Sequence, residues 1–548
     1  MKLQLHANHA ILSIVCLLLT PCRLPAAAVH VRLFDTETAR VTPAMVCISG
    51  SDNQVRLPPD GKVLTKPSTT REFYSGVEFD PDPDWIGPVR KMQGIGDNND
   101  RSYVYGLLAS IPYWKEPVMY QTSGEFTIQL PAGEWRIAVD RGLEYIPVVQ
   151  AFKVTDEASL LLAIDLKRWI NLPQKGWWSG DVHVHHPTLN DRHRQFLLSY
   201  ARACDLHLVN VLEMGHHQGT DFKQEGFGEE FRVHDGDYWL VSGQEEPRST
   251  FGHIIGLNTT GLVRDLGTYD FYDLAFKNIH RQRGALVGFA HFSWNGCDLP
   301  RGFPWYVTTG ELDFIELLQF SKINAIDYYD YLNLGFKLTA AAGSDTPWGS
   351  TIGEVRTYVH TGPNLDINAW FENLQKGHTF VSNGPVLEFT VDNELPGTEL
   401  SRNAGDRVFI KARVLSHPMI GIPKALTLVG NEGVLKEIAN PKKASSITIE
   451  LERQIDQSQW LVLSTVCNNN ALAHTTPVYV KVGGRPTWCP DRGPAVIRKQ
   501  LDAIARISKE FTPAENDRAR GIQRRLARAQ DYYRGLLAQM RDYSLSEK

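Results

Sequence analysis

The chain has 548 residues, 42% of them hydrophobic and 22% charged, which suits about three folded domains and excludes a disordered or fibrous protein. A formal net charge of -5 gives no general attraction to a phosphate backbone, so nucleic acid is not an expected partner.

At the N-terminus, Lys2 is followed by the apolar run 10–19 and then by Ala26-Ala27-Ala28, a layout that predicts a signal peptide over residues 1–28 and a periplasmic or extracellular protein. The run is shorter than the ~20 apolar residues a transmembrane helix needs, and no other segment reaches that length, so no transmembrane segment is expected. Cys47, Cys204, Cys297, Cys467 and Cys489 form an odd set without a Cys-x-x-Cys pair. They read as small buried apolar residues, with a Cys467–Cys489 pair as the alternative.

Residues 29–175 carry short strand runs between turn residues, for example 126–130 before Pro131-Ala132-Gly133 and then 135–139, which predicts a β-sandwich. Residues 176–380 alternate apolar strands such as 206–212 with helical stretches such as 194–203, the pattern of an α/β domain. In residues 381–490 strands return at 387–391, 407–414, 446–452, 460–465 and 478–482, predicting a second β-sandwich. The tail, 491–548, is rich in Ala, Leu, Arg and Gln, and Pro513 divides it into two helices, read as a helical appendage.

The chemistry concentrates in the α/β segment. Gly180-Asp181-Val182-His183-Val184-His185 places two imidazoles two residues apart, so on a strand both leave the same face. Neutral imidazole is the commonest protein metal ligand. Further apolar runs end in ligand-type residues: Gly243-Gln244-Glu245 with Gly252-His253, then Ala290-His291, then Gly343-Ser344-Asp345. Strand ends form the active-site rim of α/β folds, so His183, His185, Glu245, His253, His291 and Asp345 are predicted to converge as metal ligands. A carboxylate among imidazoles can bridge two cations, and two adjacent metals can activate water for hydrolysis. Two divalent ions are therefore expected, and such ligands suit Zn, Mn or Fe alike.

These motifs, with Leu332-Asn333-Leu334-Gly335-Phe336, resemble the PHP metallohydrolase superfamily, and in particular its CehA/McbA group, named for carbaryl hydrolase. The resemblance covers roughly residues 177–385. It implies a distorted β/α barrel, with His183, His185, Glu245 and Asp345 around one metal, Glu245, His253 and His291 around the second, and Glu245 as the bridge. The family's last motif is often Asp-x-His, whereas this chain reads Asp345-Thr346-Pro347, so a third metal is not expected. Where the family has Asp-His, the chain reads Gly215-His216-His217. His217 and Asp345 are the candidate catalytic residues; either His216 or His217, with His217 preferred, would donate a proton to a leaving group or ligate metal, and an ordinary loop histidine pair is the other reading. Arg248 and Trp294 are weaker candidates for substrate contact. The resemblance implies hydrolysis of an ester, carbamate or amide in a small-molecule substrate. The alternatives are a phosphoesterase of the same fold and a non-catalytic cell-surface protein that binds glycans through its sandwiches.

Overall fold

Alternation of apolar and polar residues folds the N-terminal part into two sheets around one core. In the computed structural model, which describes residues 26–51, 55–56, 113, 120–155, 159–293, 300–346, 351–512 and 516–546, the first strand is Ala26–Asp35. Its inward residues Ala27, Val29, Val31 and Leu33 are buried, as the period of two requires. It pairs antiparallel with Glu125–Pro131 and parallel with Ser159–Leu166. The second sheet sets Ala44–Gly50 beside Tyr120–Thr122 and Gly133–Asp140, with Val148–Val154 next to the latter. Ile48, Ile128, Ile137 and Ile164 bring the inner faces into a single apolar cluster. The expected signal segment lies outside the described residues up to 25, while Ala26–Ala28 already pair with Gln129–Pro131.

The next segment is mixed α/β. Trp177–Val184, Leu208–His216 and Tyr238–Ser249 run parallel, and the helix Asp191–Ala203 carries the chain between the first two. That helix starts where the side chain of Asn190 accepts the His193 N–H. The chain then reverses through Gly252–Leu257, antiparallel to both Tyr238–Ser249 and Leu286–Phe289, and continues in parallel through Phe314–Gln319 and Thr339–Ala342. Beyond the last of these the backbone returns to the first strand. Asp345 N–H donates to His183 O, and His185 N–H donates to Thr346 O, each at 2.8 Å. The C-terminal ends of the parallel strands thus share one side, and the reversed strand presents its start there.

A three-stranded sheet, Val386–Val391, Asp406–Leu415 and Ser446–Ile455, follows. It shares a core with strands that include Pro423–Gly430, Gln459–Cys467 and Val478–Val482. The latter strands continue the central sheet, because Thr379–Ser382 pairs with Leu472–Thr475 in the register Phe380↔Thr475, Val381↔His474 and Ser382↔Ala473.

The two C-terminal helices, Gly493–Ser508 and Asp517–Ser546, are not an appendage. Val496, Ile497, Ile504, Ile507, Ile522, Leu526, Tyr533 and Met540 pack in one core with Phe251, Phe289, Phe303, Trp305 and Tyr331. The reason is coverage: the local helix Phe303–Tyr306 is four residues long, and the tail's apolar stripes bury what it leaves open. Among the described residues no helix is long and apolar enough to cross a membrane. Cys467 and Cys489 are both free thiols, so the Cys467–Cys489 alternative is not realised, and Cys297 lies outside the described residues.

Candidate metal centre

Most of the ligand-type residues sit at or just beyond strand ends, and Glu245 lies inside a strand. His183 lies near the end of Trp177–Val184 and His185 just beyond it, both fully buried. Glu245 lies within Tyr238–Ser249 opposite Met214 and Ile255, and His253 is the second residue of the reversed strand. His291 follows Leu286–Phe289 by two residues and Asp345 follows Thr339–Ala342 by three. Both have left-handed backbones, with φ of 59° and 53°. Such strain in residues with a Cβ persists only where surrounding structure imposes it, and it clusters at functional sites.

The atoms converge as two groups that share one carboxylate. His183 Nε2 is 3.0 Å from His185 Nε2, and Asp345 Oδ1 is 3.3 and 3.4 Å from the two. Glu245 closes this group, with Oε1 3.5 Å from His183 Nε2 and Oε2 3.5 Å from His185 Nε2. The same Glu245 Oε1 is 2.9 Å from His253 Nδ1 and 3.3 Å from His291 Nε2, and those two nitrogens are 2.9 Å apart. Donor atoms about 2.0–2.2 Å from a tetrahedral ion lie roughly 3.3–3.6 Å from one another; the carboxylate–imidazole distances of 3.3–3.5 Å match that spacing, and the contacts of 2.9 and 3.0 Å are tighter.

Ring protons decide the fit. His183 Nδ1 meets Glu316 Oε1 at 2.8 Å, His185 Nδ1–H donates to Leu212 O at 3.0 Å, and His291 Nδ1 meets Gln319 Oε1 at 2.8 Å. Each of these partners is an acceptor, so a neutral ring carries its single proton on Nδ1 and turns the Nε2 lone pair inward. Lone pairs and carboxylates then face one another at contact distance, an arrangement a divalent cation satisfies. Burial opposes charge on His183, yet Glu316, Asp345 and Glu245 hold it well above the usual imidazole range. Burial likewise opposes charge on Glu245, and Arg248, His253 and His183 hold it well below the carboxylate range. Burial and Arg248 push His253 down to about 4. The cluster favours positive charge among its carboxylates and a neutral imidazole at His253. His253 also forms the open rim: its side chain is 26% exposed, against 1% for Glu245.

Not every candidate joins the cluster. His217 is exposed, with its ring 4.5 Å from that of Tyr269, and His216 Nε2 lies 3.2 Å from Asp221 Oδ2. Neither belongs to the converging ligand groups. Arg248, a candidate for substrate contact, points its Nε at Glu245 Oε2, 2.7 Å away. Trp294 falls outside the described residues.

Three residues support the ligand-type groups: Asp181, a member of the motif around His183 to which the sequence alone assigns no role, and Glu316 and Gln319, which sequence reasoning missed. Asp181 Oδ1 accepts the N–H groups of His183 and Ser344, Oδ2 accepts that of Gly353, and burial pushes the carboxyl up to about 6. Glu316 and Gln319 lie on the wholly buried strand Phe314–Gln319. A carboxylate inside that apolar run was the available signal, the same one that marks Glu245.

No family model and no curated protein matches the chain. Among solved structures it is similar to the crystal structure of an engineered protein, with 13% identity and a TM-score of 0.14, over 18% of this chain and 21% of that one. The likeness spans about a fifth of that protein and carries no argument about fold or function.

Proposed function

We propose that the protein is an exported metal-dependent hydrolase of the PHP type, similar to the CehA/McbA group, acting on an ester, carbamate or amide bond. In this reading the ring of central strands is a distorted β/α barrel, and the paired sheets on either side are β-sandwiches. The observation that carries it is the sharing of Glu245 Oε1 between the two groups, 3.5 Å from His183 Nε2 and 2.9 Å from His253 Nδ1, with imidazole lone pairs aimed inward. Two divalent cations held there would supply the Lewis acidity that makes water nucleophilic at neutral pH and polarises the substrate oxygen.

The chain's own groups then have separate tasks. His183, His185 and Asp345 hold one cation, His253 and His291 the other, and Glu245 both. Asp345, a buried carboxylate of the first group, is also the candidate proton acceptor. His217 remains the candidate donor to a leaving group, on a loop tied to the site where Arg248 donates to Gly215 O at 3.4 Å and Arg264 donates to His216 O at 2.5 Å. Arg248 is occupied by Glu245, which favours a neutral substrate over a phosphoester.

Elemental analysis of the purified protein tests the reading, followed by a hydrolysis screen of aryl esters, carbamates, amides and phosphoesters after loading with Zn, Mn or Fe. Near-stoichiometric metal with turnover of a neutral ester, carbamate or amide supports it. Turnover of phosphoesters alone makes the protein a phosphoesterase, and bound metal with glycan binding but no turnover makes it a binding protein. Absence of bound metal after loading overturns the proposal.

A further inference from the structure

We propose that Glu316 is a positioning residue that splints the two ligand groups, so that metal binding in one depends on the geometry of the other. The inference rests on the two-cation reading above. Glu316 is fully buried on Phe314–Gln319, opposite Ala341 of the neighbouring strand. Its Oε1 lies 2.8 Å from His183 Nδ1, and its Oε2 accepts the backbone N–H of His291 at 2.9 Å. His183 groups with His185 and Asp345, and His291 with Glu245 and His253, while Glu316 itself forms a third group with His183 and His291. One planar carboxylate therefore spans both.

Each oxygen has its own effect. Oε1 keeps the proton of neutral His183 on Nδ1, which directs the Nε2 lone pair at the cation position. Oε2 anchors the backbone of His291, whose φ of 59° requires such an anchor. The fold leaves room for the carboxylate: a Cβ on Gly343 would lie 2.3 Å from Glu316 Oε1 and 2.4 Å from His183 Cβ. A larger residue there would displace the splint and a ligand together.

An amide of equal volume cannot replace it. His183 Nδ1–H and the His291 N–H are both donors, whereas glutamine offers one acceptor oxygen and one NH2. With the NH2 toward His183, the ring must accept at Nδ1, and its proton moves to Nε2, where it blocks the ligand position. With the NH2 toward His291, donor faces donor and the anchor of the second group is lost. Asp keeps two acceptors but is one methylene shorter.

The test compares wild type, Glu316→Gln and Glu316→Asp, each stripped with a chelator and titrated calorimetrically with Zn2+, with thermal midpoints recorded before and after loading. We expect wild type to bind two equivalents. Glu316→Gln should bind at least one of them roughly 10–100-fold more weakly, with the zinc-induced rise in midpoint reduced. Glu316→Asp should recover part of the affinity. Wild-type zinc binding in Glu316→Gln overturns the inference, as does a metal-free midpoint that falls while the zinc-induced rise is unchanged, which marks a purely structural role. If wild type binds no zinc, the two-cation reading fails and the splint with it, a result distinct from failure of Glu316 alone.

Discussion

Glu245 and Glu246 are chain neighbours with opposite surroundings, because successive side chains of a strand leave opposite faces. Glu245 faces four histidines within 3.5 Å. Glu246 turns to Arg264 and packs over Gly215, where a Cβ would meet its carboxyl carbon at 2.0 Å. Glu245→Gln should therefore lose metal and lower turnover by more than the ~10–100-fold typical of a lost supporting contact. Glu246→Gln should keep its metal, and metal content per chain measured for both variants decides between them. A second residue-scale expectation concerns His474, buried with Nδ1–H donating to Thr475 O at 2.7 Å and Nε2 2.9 Å from Tyr329 Oη. Burial pushes it down to about 4. Its folded value lies below the ordinary ~6.5, so the unfolded chain takes up the proton first as pH falls. The stability this group contributes is complete above pH ~6.5 and is lost on acidification toward 4, amounting to ~2 kcal/mol at pH 5. Thermal midpoints at pH 7 and 5 should differ less in His474→Gln than in wild type, and an equal pH dependence would show that this imidazole does not contribute.

At the scale of elements, the C-terminal helices back the strands that bear ligands. Phe251 precedes His253 by two residues, Phe289 precedes His291 by two, and both pack in the cluster that contains Ile504, Ile522 and Tyr533. Ring centroids of Phe251 and Phe511 are 5.8 Å apart, and Tyr533 O–H donates to Pro304 O at 2.7 Å. Each large apolar side chain buried in this way contributes ~1.5–3 kcal/mol. Truncation after Ala495 should thus yield an insoluble chain, or one whose thermal midpoint falls by more than ~10 °C. A soluble truncated protein with full metal content and an unchanged midpoint would show that the helices are dispensable. Helix content of this tail was readable from composition and from Pro513. Its burial was not, because an amphipathic stripe reveals that something must cover it but not what.

Across the whole molecule, buried charge ties the N-terminal sheets to the central segment. Arg168 lies 3.0 Å from Glu144 Oε2 and 2.8 Å from Asp205 Oδ2, while Arg141 lies 3.6 Å from Asp205 Oδ1. Burial would raise the Asp205 carboxyl, but Arg168 and Arg141 hold it well below its usual range. Removing one partner of such a group strands the other charges and costs ~3–5 kcal/mol. Arg168→Met should unfold at markedly lower urea concentration than wild type, and an unchanged midpoint would show the network to be energetically neutral. The central and C-terminal parts are joined differently, by backbone pairing of Thr379–Ser382 with Leu472–Thr475. A change of hydrophobic pattern near residue 380 therefore marks a change of topology but not a gap in the sheet.

By itself the sequence determined which ligand-type residues close or interrupt apolar strands, because a charged residue in an apolar run is costly unless something pairs it, and a spacing of two sets both histidines on one face. It determined the alternation of strands and helices by the same periodicities. Only the tertiary structure decided which ligands share an atom of Glu245, that Glu316 bridges His183 and His291, and that His217 stands apart against Tyr269. Those outcomes depend on strand order and on the return of the chain from Asp345 to His183. Contacts set by strand order, such as that of His183 with Glu316 across 133 positions, leave no local pattern in a single sequence.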